Sequence, residues 1–114
     1  MVKVEAIVRE EVLEDIKDAL GEMNVHGITV SQVMGCGKQK GYNSIVRGNK
    51  VDINMLPKIK FEIVLSSDEW VEKVVEVISK IACTGNPGDG KIFIYELKDA
   101  VRIRTGQRGN EAIY

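Results

Sequence analysis

IKFEIVLSSDEWVEKVVEVISKIA, residues 59–82, changes its hydrophobic period partway along. Ile59, Phe61, Ile63 and Leu65 alternate with Lys60 and Glu62, the spacing of a strand with one buried face. Val64 is an apolar exception on the polar side. From Val71 onward Val71, Val74, Val75, Ile78 and Ile81 form a single helical stripe. Between the two patterns, Ser66 followed three residues later by Glu69 makes a capping box, and Gly85 is placed to close the helix at its other end. The stretch predicts a strand running directly into an amphipathic helix.

The same unit stands at the start of the chain. Val2, Val4, Ala6 and Val8 alternate with Lys3, Glu5 and Arg9, again with one apolar exception, Ile7. Val12, Ile16, Leu20 and Met23 then form a helical stripe, and residues 28–34 read as a second strand. Beyond the second helix a strand is expected at 91–97 and a short one at 100–104, with Arg102 and Arg104 on a shared face and a loose polar tail from Thr105. The order is strand, helix, strand, long loop, strand, helix, strand. That is the α+β, ferredoxin-like βαββαβ plan, in which an antiparallel sheet carries both helices on one face and its first and third strands are central neighbours. Ile7 and Val64 are therefore expected close together on the uncovered face, and such a face is ordinarily covered by a partner or another copy.

At 114 residues the chain makes one domain, spanning 1–114. A formal net charge of −1 argues against direct nucleic-acid binding driven by a global field. No apolar run is long enough for membrane insertion, and MVKVEAIVRE reads as a strand rather than a signal peptide, so cytoplasmic localisation is expected. Cys36 and Cys83 are expected to be reduced thiols.

TGNPGDGKIF, residues 84–93, nearly spells a phosphate loop, but it leads from a helix into a strand. A Walker A loop runs the opposite way, so that a helix N-terminus faces the phosphates. Gly88, Asp89 and Gly90 still let the backbone approach a ligand closely, and Lys91 adds a positive charge; on these residues alone a plain tight turn and a phosphate site remain equal alternatives. The loop from about 37 to 57, with Lys58 just beyond it, holds Lys38, Lys40, Arg47, Lys50 and Lys58 against Asp52 alone. Loops of this length are uncommon in compact domains unless functional or disordered. A basic loop, a glycine turn and the Arg102/Arg104 pair together point to a polyanion such as a nucleotide's phosphates. Catalytic groups are scarce: His26 is the only histidine, and no nucleophile–base set can be assembled around it.

These residues resemble the PII family of nitrogen-regulatory signal-transduction proteins over nearly the whole chain. The resemblance rests on KVEAIVR (3–9), GITVSQVMGCGKQKG (27–41), LPKIKFEIV (56–64), TGNPGDGKIF (84–93) and VRIRTGQRG (101–109). It implies a homotrimeric, non-enzymatic sensor of ATP, ADP and 2-oxoglutarate, with the effectors bound in clefts between subunits. Ile7, Thr29, Gly37 and Val64 would surround the adenine and ribose, with Lys38 and Gln39 beside them. Gly88, Asp89, Gly90 and Lys91 would cradle the phosphates, joined by Arg102 and Arg104 of the next subunit. Gln39, Lys40 and Lys58 would bind 2-oxoglutarate, Gln39 through a magnesium ion shared with ATP. The long loop would regulate an ammonium channel, which could recruit the protein to the inner membrane face, or a nitrogen-metabolism enzyme or regulator; Arg47 would enter the channel mouth. The family's modified loop tyrosine and serine are replaced here by Val51 and Asn49. The alternatives are a nucleotide-dependent phosphotransferase on the same scaffold, or a trimeric metal-binding protein of similar architecture.

Overall fold

A computed structural model describes residues 1–36, 43–46, 49–52 and 55–113, the two short central segments by their backbone pairing alone. Strand β1 spans Val2–Arg9 and leads through a short 3-10 turn, Glu10–Val12, into helix α1, Leu13–Glu22. Strand β2 spans Ile28–Cys36, and β3 (Asn43–Val46) and β4 (Asn49–Asp52) form a separate two-stranded ladder. Strand β5, Met55–Leu65, precedes helix α2, Asp68–Ala82, and strand β6, Gly90–Glu96. The four long strands lie in the order β2-β5-β1-β6, antiparallel throughout. This is the ferredoxin-like arrangement that the alternating period implies, with β1 and β5 at its centre.

Period two explains the core. In β1 and β5 every second residue is buried, and Val4, Ala6, Phe61 and Ile63 have no exposed surface. They pack against Ile16 and Leu20 of α1 and Val71, Val74 and Ile78 of α2. Each fully buried side chain of this size contributes about 1.5–3 kcal/mol relative to an exposed one. The partners on the other sheet face (Lys3, Glu5, Ile7 and Arg9; Lys58, Lys60, Glu62 and Val64) stay half-exposed. No helix among the described residues is long and apolar enough to cross a membrane.

Several local expectations need correcting. Helix α2 is capped by Ser67, whose hydroxyl accepts from the Trp70 N–H at 3.5 Å; the helix begins one residue later than the Ser66–Glu69 pattern suggests. Gly85 adopts a positive φ of 85° but does not close the helix, because its N–H donates to Asp89. Cys83, with an extended backbone, is the C-cap. Strands β2 and β5 reach Cys36 and Met55, further than the alternation indicates. Met34 and Met55 are exposed there, so no buried face imposes a pattern. The stretch read as aperiodic holds the β3–β4 ladder, in which Val46 pairs with Asn49.

The short strand expected at 100–104 is absent. A turn replaces it: Arg102 N–H donates to Gln107 O, Gly106 N–H returns to Arg102 O, and Val101 makes a single bridge to Arg108. Ile103 is fully exposed, so its alternation with the arginines has no buried face behind it. From Thr105 the chain runs through this turn into a 3-10 segment, Gly109–Ala112, and Arg108 pairs with Asp99 at 2.8 Å.

Candidate functional site

The turn from Thr84 to Gly90 is organised around one carboxylate. Asp89 accepts from the Thr84 N–H at 2.7 Å, from the Gly85 N–H at 2.9 Å and from the Thr84 hydroxyl. The Thr84 hydroxyl does most, with the Thr84 and Gly85 N–H groups adding to it, to hold the Asp89 carboxyl at about 2. Outside the turn, Arg9 Nη2 donates to Pro87 O at 2.8 Å while its Nε lies 3.5 Å from Asp89 Oδ1. Lys58 Nζ donates to Gly88 O at 2.9 Å. The side chain of Asp89, expected to take part in ligand contact, is thus engaged in fixing the turn.

Two glycines are required by geometry. Gly88 and Gly90 have φ of 102° and 112°, values that side chains oppose. A Cβ on Gly90 would stand 1.9 Å from the Ile7 carbonyl oxygen. The close approach predicted for a ligand is here an approach to β1, which seats the turn directly against Ile7.

The sheet register then fixes what lies beside it. Ile7 pairs with Lys60 on one side and Lys91 on the other, and Arg9 pairs with Lys58. Paired residues share a face, so Ile7, Arg9, Lys58, Lys60 and Lys91 occupy one end of the uncovered face. Desolvation first, and then the charge of Arg9, push the Lys58 ammonium below its ordinary value. This end can receive a polyanion against four cations and the backbone of the glycine turn, with Ile7 as an apolar contact.

The remaining candidates are elsewhere. Val64 shares the face with Ile7 but pairs with Lys3, four pairs along the ladder, or roughly 13 Å at strand rise. The expectation that the two residues lie close together in the chain is therefore wrong; β1 and β5 run antiparallel, and proximity depends on register rather than on strand adjacency. Thr29, on the edge strand β2, pairs with Glu62 of β5. Arg102 and Arg104 follow β6 past the Val2 end of the sheet, where Leu97 N–H meets Met1 O. Arg104 is exposed and Arg102 is half-buried, with its guanidinium on Gln107 at 3.2 Å. Gly37, Lys38, Gln39, Lys40 and Arg47 lie outside the described residues.

Sequence reasoning missed Arg9 and Thr84. Arg9 is on the polar face two residues beyond Ile7, which is a readable signal. That Thr84 binds Asp89 follows only from the path of the turn. Among the described residues no group of three or more His, Cys, Asp and Glu side chains could hold a metal.

The family model for nitrogen regulatory protein P-II matches residues 1–107. A nitrogen regulatory protein P-II of Rhodospirillum rubrum is 46% identical over 113 residues, covering 99% of this chain and 100% of its own. Nitrogen regulatory protein P-II 1 of Methanothermobacter thermautotrophicus is 50% identical over 113 residues, covering 99% of this chain and 97% of its own. A P-II protein of Azospirillum brasilense is 44% identical over 99% of this chain and 100% of its own.

Proposed function

We propose that this chain, which belongs to the P-II family of nitrogen regulatory signal proteins, senses ATP, ADP and 2-oxoglutarate in clefts between the subunits of a homotrimer. As a member of that family it is a regulatory protein and not an enzyme. The observation that carries the reading is the division of the nucleotide residues into two groups. Ile7, Lys91 and the Gly88–Gly90 turn stand at one end of the sheet face, and Val64, Arg102 and Arg104 belong to the other. One subunit cannot close them around one nucleotide. A neighbouring copy that brings its Val64 end against this chain's Ile7 end completes the set.

The residues present fit a nucleoside phosphate. The fixed turn holds Gly88 and Gly90 where their backbone would approach phosphate oxygens, and Lys91 and the arginines supply charge-assisted donors. A magnesium ion would neutralise phosphate charge and bridge to the keto acid; Gln39 is the residue proposed to reach it. Lys58, together with Lys40, would meet the carboxylates of 2-oxoglutarate, at the cost of its present bond to Gly88 O. Occupancy of this site would select the conformation of the 37–57 segment, and through Arg47 its engagement with an ammonium channel or a nitrogen-metabolism enzyme or regulator. A ligand that binds two conformations unequally shifts their populations by that difference alone.

Calorimetric titration tests this. One ATP and one ADP site per chain is expected, with 2-oxoglutarate binding only when ATP and magnesium are present. Arg102→Ala combined with Arg104→Ala should weaken both nucleotides, since each charged contact contributes about 1.5–3 kcal/mol. Parent-like nucleotide binding by that double variant would refute the divided site.

A further inference from the structure

Three sulfur side chains share a face at the Cys36–Met55 end of the β2–β5 ladder, three pairs beyond Lys58, which bonds to the turn that holds Asp89. Cys36 pairs with Met55, and Met34 pairs with Pro57. Residues two apart on a strand, and residues directly opposite, point to one face, so Met34, Cys36 and Met55 share a face. Cys36 Sγ lies 2.9 Å from Met55 Sδ, with the thiol donating. Met34 is the diagonal neighbour of Met55, a separation of about 7–8 Å that long side chains bridge. Met34 is 58% exposed, Met55 is 49% exposed and Cys36 is exposed as a free thiol. Two thioethers and a thiol are thus presented together to solvent.

We propose that Met34, Cys36 and Met55 form a binding site for a soft monovalent cation, Cu(I). One thiolate with two thioethers is the donor set that selects Cu(I) over zinc or the hard divalent ions. Binding replaces the Cys36 thiol proton, released to solvent, by a sulfur–metal bond, and Met34 and Met55 each add a sulfur lone pair. No electron is transferred, and the thiolate cancels the charge of the ion. Metal–sulfur bonds of about 2.3 Å need the sulfurs roughly 4 Å apart in a trigonal site. Cys36 and Met55 must therefore separate slightly, which the unbranched methionine side chain allows. Cys83 lies in the segment after α2 and takes no part.

The test is anaerobic titration of the full-length reduced protein with Cu(I) in competition with bicinchoninate, a chromogenic Cu(I) chelator. The expected stoichiometry is one ion per chain, unchanged in Cys83→Ser and lost in Cys36→Ser. Met34→Leu and Met55→Leu preserve apolar volume and should each weaken binding at least about tenfold, the loss known even for outer-shell metal partners. Circular dichroism checks that each variant keeps the parent fold. Excess Zn(II) should not displace the ion. Parent-like affinity in both methionine variants would overturn the site, leaving only a reactive thiol; so would displacement by Zn(II), or loss of binding in Cys83→Ser.

Discussion

Asp89 illustrates how a candidate ligand residue can instead be engaged in fixing the turn that carries it. Its carboxylate is saturated by Thr84 and Gly85 and flanked by Arg9, so it preorganises the N–H groups of the turn. Its folded pKa, about 2, is below the ordinary 3.8. A depressed carboxyl stabilises the folded state fully above the ordinary value and loses that contribution as pH falls through the folded one. Asp89→Asn should therefore unfold at lower urea than the parent at neutral pH, with the difference shrinking between pH 3.8 and about 2. Urea melts of both proteins down that pH range measure it, and a gap that stayed constant to the acid end would contradict the assignment. At this scale the sequence was only partly legible. Gly90 reads correctly as a position for close approach, but the approaching atom is the Ile7 carbonyl, which only the register reveals.

At the scale of elements, legibility followed burial. Strands β1 and β5 and helix α2 were readable because each packs one face on the core, which stamps a period of two or of 3.6 on the residues. Where nothing packs, the pattern fails in both directions. VRIR alternates and is a turn; NSIVRGNKVD shows no period, yet its backbone pairs as β3 and β4. Ends are less legible than middles, since a cap depends on one hydroxyl. Ser67 rather than Ser66 accepts from Trp70. Ser67→Ala should lower thermal stability by about 0.5–2 kcal/mol, toward the small end because the bond is long. Differential scanning calorimetry of Ser67→Ala measures this, and no loss of stability would mean that the α2 N-terminus is closed by other groups.

The whole molecule presents an uncovered sheet face and an exposed C-terminal turn to whatever surrounds it. Phe93 and Tyr95 on that face are 41% and 44% exposed, and Ile103 on the turn is 100% exposed. Apolar surface of this kind is expected at contacts between copies. Sedimentation equilibrium should give three chains per particle, and Ile103→Ser should shift the population toward smaller species while leaving far-ultraviolet circular dichroism unchanged. A variant that sediments as the parent does would remove Ile103 from the contact. The composition does not locate this exposed surface, because apolar totals do not say which residues a single copy leaves bare.

The separation of Ile7 from Val64 along one ladder has a genetic consequence. If every pocket joins the turn end of one copy to the arginine end of the next, two differently damaged chains can repair each other. A chain carrying Lys91→Ala and a chain carrying both Arg102→Ala and Arg104→Ala each form only defective pockets alone. In a ring closed head to tail, equal mixing at random leaves about one pocket in four with both halves intact. Refolding the two together should therefore recover nucleotide binding that neither possesses separately, in about that fraction of sites. Were the pocket built within a single copy, the mixture would bind no better than its parts.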